Sequence, residues 1–265
     1  MLDLHNHILY ELDDGSRSIE ESIEMAKMFV ESGYSHLICT PHYRPEDGFV
    51  MHRTMELERL QTLQDKLDRE NIFLKLHLGN ELYYTAEVLE LLEKGLLSPM
   101  ASSHYVLLEF SFNNEPVGLA NFVYQLQLLG YSPILAHVER YAYVQKDPSW
   151  IEQYLDLGCY IQCNLSYVDD EDSKDYEVIS HLLEKGQVHL FATDAHQSKW
   201  RNPQVKEQLE ALFKWLGPEN YQTLLVDNPF RVLENKPLRS AKIFPKKKKK
   251  TWNPLNWLKK DKMRR

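Results

Sequence analysis

Apolar positions fall along this chain in two alternating patterns. Short runs with strand character recur through the first two hundred residues: LDLHNH, HLICTPH, FLKLHLGNE, YVLLEF, PILAHVE, YIQCNLS and HLFATDAH. Between them lie longer stretches whose apolar residues return at helical spacing, among them SIEESIEMAKMFVESG, MELERLQTLQDKLDRE and DYEVISHLLEKG. Ser18 with Glu21 predicts a capping box for the first helix, and Gly33 predicts its stop. Strands alternating with helices predict an α/β fold with a parallel sheet. Seven such units favour closure into a barrel, with an open doubly wound sheet as the alternative. The alternation ends after VDNPFRVLENKPL. Residues 1–235 are therefore expected to form one domain, and 236–265 a flexible appended tail too poor in apolar residues to add a packed layer.

The polar residues within this pattern are not scattered. His5 and His7, His42, Glu81, Glu109, His137, and Asp194 with His196 stand at or just past the ends of six of the seven strand candidates. Strand residues i and i+2 point to one side, so His5 and His7 should share a face, and so should Asp194 and His196. In a parallel barrel the C-terminal ends of the strands share one mouth, where catalytic sites lie. Asp14 follows the first strand closely enough to join them, although DDG can also be a plain turn and Asp13 could take its place. Nine ligands, four of them carboxylates, exceed the needs of one ion and fit two or three, with a carboxylate bridging. Nitrogen and oxygen donors without thiolate suit Mn2+, Fe or Zn2+, and the carboxylate share favours Mn2+. His36, His52, His77, His104, His181 and His189 fall in helices, strand starts or turns and are read as structural or exposed.

Arg140 and Arg201 follow His137 and His196 closely, and a guanidinium fork matches phosphate oxygens bidentately. A phosphoryl group is thus the expected substrate moiety. Cysteine-based phosphatases place an Arg six residues after the nucleophile. Here Arg44 lies five after Cys39, and neither Cys159 nor Cys163 has an Arg at that distance. Covalent thiol chemistry is unsupported, and water activated by metal is the expected nucleophile.

Charge divides the chain. Of its 31 Lys and Arg, 13 lie at 236–265 beside one acid, Asp261, which leaves 18 bases against 38 acids in the body. So acidic a body is not expected to bind nucleic acid. In the tail, KKKKKTWNPLNWLKK places tryptophan and leucine among lysines, a composition suited to an anionic membrane surface. Three cysteines without framework spacing, no membrane-length apolar run and no secretory signal fit a cytoplasmic location.

The segments DLHNHILYELDDG, CTPH, GNELYYT, LLEFS, LAHVERY, TDAH with Arg201, and VDNPFR resemble the polymerase-and-histidinol-phosphatase (PHP) superfamily. More narrowly, they resemble its bacterial metal-dependent protein-tyrosine phosphatases of capsule and exopolysaccharide synthesis, the CpsB/YwqE-like group. The match runs from residue 1 to about 235 and departs at HVER, where many relatives read HPER. The resemblance implies a distorted PHP-type (β/α)7 barrel with three ions. His5, His7, Glu81 and Asp194 would hold one. Glu81, Glu109 and His137 would hold the second, with Glu81 bridging, and Asp14, His42 and His196 the third. It further implies hydrolysis of phosphotyrosine on a membrane-associated bacterial tyrosine kinase. A small-molecule phosphomonoesterase such as histidinol-phosphate phosphatase is the alternative.

Overall fold

The structure, a computed structural model, describes residues 1–50 and 52–241. Residues 242–265, most of the predicted basic tail, lie outside the described residues. The strands are β1 (Leu2–Asp3), β2 (His36–Cys39), β3 (His42–Tyr43), β4 (Lys75–Leu78), β5 (Glu81–Tyr83), β6 (Tyr105–Glu109), β7 (Ser132–Leu135), β8 (Tyr160–Asn164) and β9 (Leu190–Ala192). The helices are α1 (Ile19–Glu31), α2 (Arg53–Arg69), α3 (Glu87–Glu93), α4 (Leu119–Leu128), α5 (Ala142–Lys146), α6 (Glu152–Asp156), α7 (Lys174–Glu184), α8 (Lys206–Tyr221) and α9 (Asn228–Leu233).

All strand pairs are parallel, in the orders β1-β2-β4 and β3-β5-β6-β7-β8-β9. Two of the seven predicted strands are broken midway. Pro41, which cannot donate to a ladder, separates β2 from β3, and Gly79–Asn80 separates β4 from β5. The breaks are bridged by Gly79 N–H donating to Cys39 O and Glu81 N–H to Pro41 O, at 2.8 and 3.2 Å. The two sheets are thus one wall of seven chain segments. Asn6 pairs in parallel with Ala195, which brings the last segment beside the first. The result is a distorted (β/α)7 barrel, and the open-sheet alternative falls away.

Local signals act as the sequence indicates, with one variation. Ser18 caps α1 by accepting from Glu21 N–H, but Glu21 reaches back to Arg17 N–H rather than to Ser18. Gly33, at φ +91°, ends the helix in the left-handed conformation that only glycine adopts without cost.

Inward-facing residues near the N-terminal ends of the strands fill the barrel: Leu2, Leu4, Ile38, Tyr105, Leu107, Ile134, Leu190 and Ala192, closed below by Met100 and by Val232 of α9. Two residues further along several strands the same face turns polar, as Leu107 gives way to Glu109 and Ala192 to Asp194. The larger core lies between wall and helices. At the base the chain continues past α9: Tyr105 Oη donates to Lys236 O, and Asn228 exchanges hydrogen bonds with the backbone of Arg239. Ala241 is buried there. The first residues of the predicted tail are therefore fixed to the barrel. Among the described residues no helix is long and apolar enough to cross a membrane.

His189 shows how burial sets acid sensitivity. Its Nδ1 accepts from Ile161 N–H, and burial lowers its pKa from 6.5 to about 4. Between those values the unfolded chain binds the proton and the folded chain does not, so stability falls as pH falls through that window. The full effect is on the order of 3 kcal/mol. We expect His189→Gln, whose carbonyl can accept the same bond, to flatten the acid side of the unfolding free energy measured by urea titration at pH 4–7.

Candidate metal centre

The barrel's C-terminal mouth gathers all nine predicted ligand residues. His5, His7, His42, Glu81, Glu109, His137, Asp194 and His196 are buried, while Asp14 reaches in from a half-exposed position. Glu81 is the centre. Its Oε2 faces His5 Nε2 at 3.0 Å, His42 Nδ1 at 3.1 Å and His7 Nε2 at 3.3 Å, while Oε1 lies 2.8 Å from His137 Nε2. Glu109 approaches the same place through His42 and His137, each at 3.7 Å. Asp14 Oδ1 stands 3.5 Å from both His42 Nε2 and His196 Nε2.

His5 Nε2, His7 Nε2, His42 Nδ1 and Glu81 Oε2 face one another at close range, yet none has an aligned hydrogen-bond partner. Buried polar atoms are rarely left in this state, because each forfeits its hydration. Lone pairs converging without donors between them fit divalent cations. Donor atoms group as His7, Asp14, His42 and His196; as His5, His7 and Glu81; as His5, His137 and Asp194; and as His42, Glu81 and Glu109. The groups share members, as ligand sets of neighbouring ions do.

Protons are a poor substitute for such ions. Burial works against charge on His5, but Glu81 and Asp194 outweigh it and raise its pKa. Burial carries His137 the other way, down to about 4 despite its bond to Glu81. Glu109 is raised by burial and then by the Glu81 charge. Adjacent groups thus have opposed demands, and a cation of charge two or more meets them together.

Strain is concentrated here too. His137, Asp194 and Arg201 all have positive φ, at 31°, 50° and 48°. Side-chain residues held in this region cost about 1–3 kcal/mol each and persist where surrounding structure over-determines them. At His137 and Asp194 the turn swings a side chain into the mouth as the strand ends.

The path of the DDG loop sends its two aspartates to different places. The Asp13 side chain is buried behind the cluster, where Oδ2 lies 2.7 Å from His7 Nδ1 and accepts from His42 N–H, while Oδ1 accepts from Gly15 N–H. Gly15 presses against His7 so closely that a Cβ would stand 2.3 Å from its carbonyl oxygen. Asp14, pushed to the front, is the one that faces His42 and His196.

A cavity of about 140 Å3 opens onto the centre, lined by Asp14, His42, Glu81, Glu109, His137, Asp194 and His196, with Arg44, Arg140, Arg201 and Phe112 on its walls. Arg201 Nη2 forms an ion pair with Asp194 Oδ2 at 2.5 Å, Arg140 Nη1 donates to the same oxygen at 3.3 Å, and Arg140 stacks over Phe112. Arg44, which pattern reading passed over, pairs with Glu109 at 3.4 Å and lies over Tyr83. Tyr84 packs instead, donating to Val117 O and meeting Phe122 edge-on. The six remaining histidines do not line the cavity. Cys39, Cys159 and Cys163 are buried with raised thiol pKa values, Cys159 to about 12, so none offers a thiolate near neutral pH.

A (β/α)7 barrel with imidazoles and carboxylates converging at its mouth, and arginines around them, defines the class: barrel proteins with a cluster of potential metal ligands at the mouth. Within it, this chain belongs to the CpsB/CapC family of capsular polysaccharide synthesis, whose model matches residues 1–234. The tyrosine-protein phosphatase YwqE of Bacillus subtilis is 32% identical over 252 residues, covering 94% of this chain and 98% of that protein. The tyrosine-protein phosphatase CpsB of Streptococcus pneumoniae is 28% identical over 245 residues, covering 88% and 98%. A crystal structure from work on these two proteins, described as unique metal-dependent tyrosine phosphatases, matches with a TM-score of 0.86 and 30% identity, covering 94% of this chain and all of that one.

A bound ion stabilises the fold by mass action, about 2.7 kcal/mol at a hundred times its Kd. We expect chelator-treated protein to melt several degrees lower than protein refilled with Mn2+, and Glu81→Gln to lose most of that increment. Equal melting temperatures for the chelated and refilled forms of the unaltered chain would contradict a resident metal centre.

Proposed function

We propose that this chain is a metal-dependent protein-tyrosine phosphatase that removes phosphate from phosphotyrosine of a bacterial tyrosine kinase and so regulates capsular or exopolysaccharide synthesis. The observation that carries the reading is the facing of four imidazoles onto the two oxygens of Glu81 at the floor of an arginine-lined cavity. Family membership and similarity to the tyrosine-protein phosphatases YwqE and CpsB support the substrate class. The nine residues would hold two or three divalent ions, Mn2+ being the best chemical match, with Fe or Zn2+ as alternatives. Glu81, Glu109 and the buried imidazoles would hold them together with Asp194, and Asp14, His42 and His196 would contribute a further set of donors.

Such ions supply a nucleophile at neutral pH by lowering the pKa of water, and they offset charge on phosphoryl oxygens. The chain's own residues do the rest. Arg140 and Arg201 present guanidinium groups beside Asp194, where they can hold the equatorial oxygens of a phosphoryl group in line for attack. Phe112 holds Arg140 in place by stacking and gives the wall an apolar face against which an aromatic ring can lie. Tyrosinate, whose conjugate acid has a pKa of about 10, leaves without strong help from a general acid. The buried thiols take no part.

Hydrolysis of a phosphotyrosine peptide, with histidinol phosphate compared, tests the reading. Turnover should require Mn2+, cease with EDTA and with His5→Ala, persist in Cys39→Ala, and fall roughly 100-fold in Arg201→Ala. Preference for histidinol phosphate would keep the centre and discard the protein substrate.

The basic tail supports a cytoplasmic enzyme placed at the inner membrane face, near a membrane-associated kinase. Each lysine close to an anionic surface contributes up to about 1 kcal/mol. Flotation with phosphatidylserine vesicles should therefore carry the full chain, and a chain ending at residue 241 should stay behind. Equal flotation of both would end the idea.

A further inference from the structure

Among the described residues, β8 alone of the seven wall segments brings no acid or histidine to the mouth. Its inward residues at i and i+2 are Gln162 and Asn164, both buried. Gln162 Oε1 accepts from His137 N–H at 2.9 Å and lies 3.2 Å from His5 Nδ1. Gln162 Nε2 donates to Asn164 Oδ1 at 2.8 Å, and Asn164 Nδ2 donates to Asp194 Oδ2 at 2.8 Å.

The polarity of this chain follows from one fixed point. A backbone N–H can only donate, so the Gln162 atom facing His137 must be the oxygen. The Gln162 nitrogen is then left to face Asn164, whose oxygen must accept it. The Asn164 nitrogen is left for the Asp194 carboxylate. In the other direction, an amide oxygen cannot donate, so His5 must carry a proton on Nδ1. Its Nε2 lone pair is thereby aimed at Glu81 and Asp194, 3.0 and 3.5 Å away. Asp194 is divided in the same way. Its Oδ2 is taken by Asn164, Arg140 and Arg201, while Oδ1 faces His5, His7 and His196 at 3.5–3.6 Å.

We propose that Gln162 and Asn164 are positioning residues that fix the tautomer of His5 and leave only Oδ1 of Asp194 to ligate, so that one amide pair sets two neighbouring ligands. The proposal rests on the metal-centre reading and is independent of the substrate. Partners that orient a ligand in this way typically change metal affinity by roughly 10- to 100-fold when removed. Gln162→Met keeps the volume and removes all three bonds, to His5, His137 and Asn164. Asn164→Asp keeps the acceptor for Gln162 but sets a carboxylate against Asp194.

Mn2+ affinity is to be measured by competition with a chelator, and the imidazole nitrogens read by 15N NMR on the Zn2+-loaded protein, with His5 assigned from its loss in His5→Gln. The unaltered chain should show His5 protonated on Nδ1 and bound through Nε2. Gln162→Met should weaken Mn2+ binding at least tenfold and shift the His5 nitrogen signals. Asn164→Asp should weaken binding without altering the His5 tautomer. A His5 bound through Nδ1 in the unaltered chain overturns the proposal, a reading that stands even if Gln162→Met fails to fold. Affinities within twofold in both variants overturn it as well. Absence of metal binding by the unaltered chain would remove the centre itself, a separate failure.

Discussion

The whole site depends on a seam. Seven parallel segments converge on one point only if the last lies against the first, and that contact is made by few residues. Asp3 receives Thr193 N–H on Oδ1 and both Thr193 Oγ1 and Asn6 Nδ2 on Oδ2. Asn6 also donates to Ile38 O and pairs with Ala195, so three neighbouring segments are tied at one height. Burial raises the Asp3 carboxyl to about 6 against the pull of these hydrogen bonds, a measure of how dry the seam is. Directly above it stand His5, His7, Asp194 and His196. Without the seam, these four would belong to opposite edges of an open sheet.

What the seam assembles is electrostatically awkward by itself. Four carboxylates and five imidazoles share a small volume from which water is largely excluded, with arginines pressed onto two of the acids. Buried charge of this kind costs much unless paired. The fold meets the cost partly with hydrogen-bond partners from its own wall, Gln162, Asn164 and Asp13 among them, and leaves the innermost atoms facing one another. Stability is spent to keep these atoms available, and the positive φ angles at His137, Asp194 and Arg201 are a further part of that cost.

Much of this was legible in the sequence because the chemistry sits where the periodicity changes. An apolar strand that ends in His or an acid marks the residue where its inward face leaves the packed barrel for the mouth, and the segments around Glu81, Glu109 and Asp194 do this without ambiguity. Barrel closure was favoured by the count of units but required the Asn6–Ala195 contact to be decided. The strand breaks were less visible, since Pro41 and Gly79–Asn80 interrupt runs that read as continuous. Gln162 and Asn164 could not be singled out, because an amide in a strand has no preferred partner until its neighbours are known. Arg44 was hidden for a related reason: its charge faces Glu109, 65 residues away in the chain. Asp13 and Asp14 are chemically identical, and only the packing of Gly15 on His7 assigns one to the rear and the other to the front.

The seam also imposes an order of events during synthesis. His5 and His7 leave the ribosome first, and Asp194 and His196 follow some 190 residues later. Contacts between such distant parts of a chain form late, because the intervening loop must first be closed. For most of its emergence the nascent protein thus holds His5, His7, His42 and Glu81 beside an incomplete wall, able to touch a cation but lacking the groups that finish its coordination. Ligand completion and barrel closure become a single step. A chain stalled before residue 194 would lack Asp194 and His196 and therefore a complete mouth.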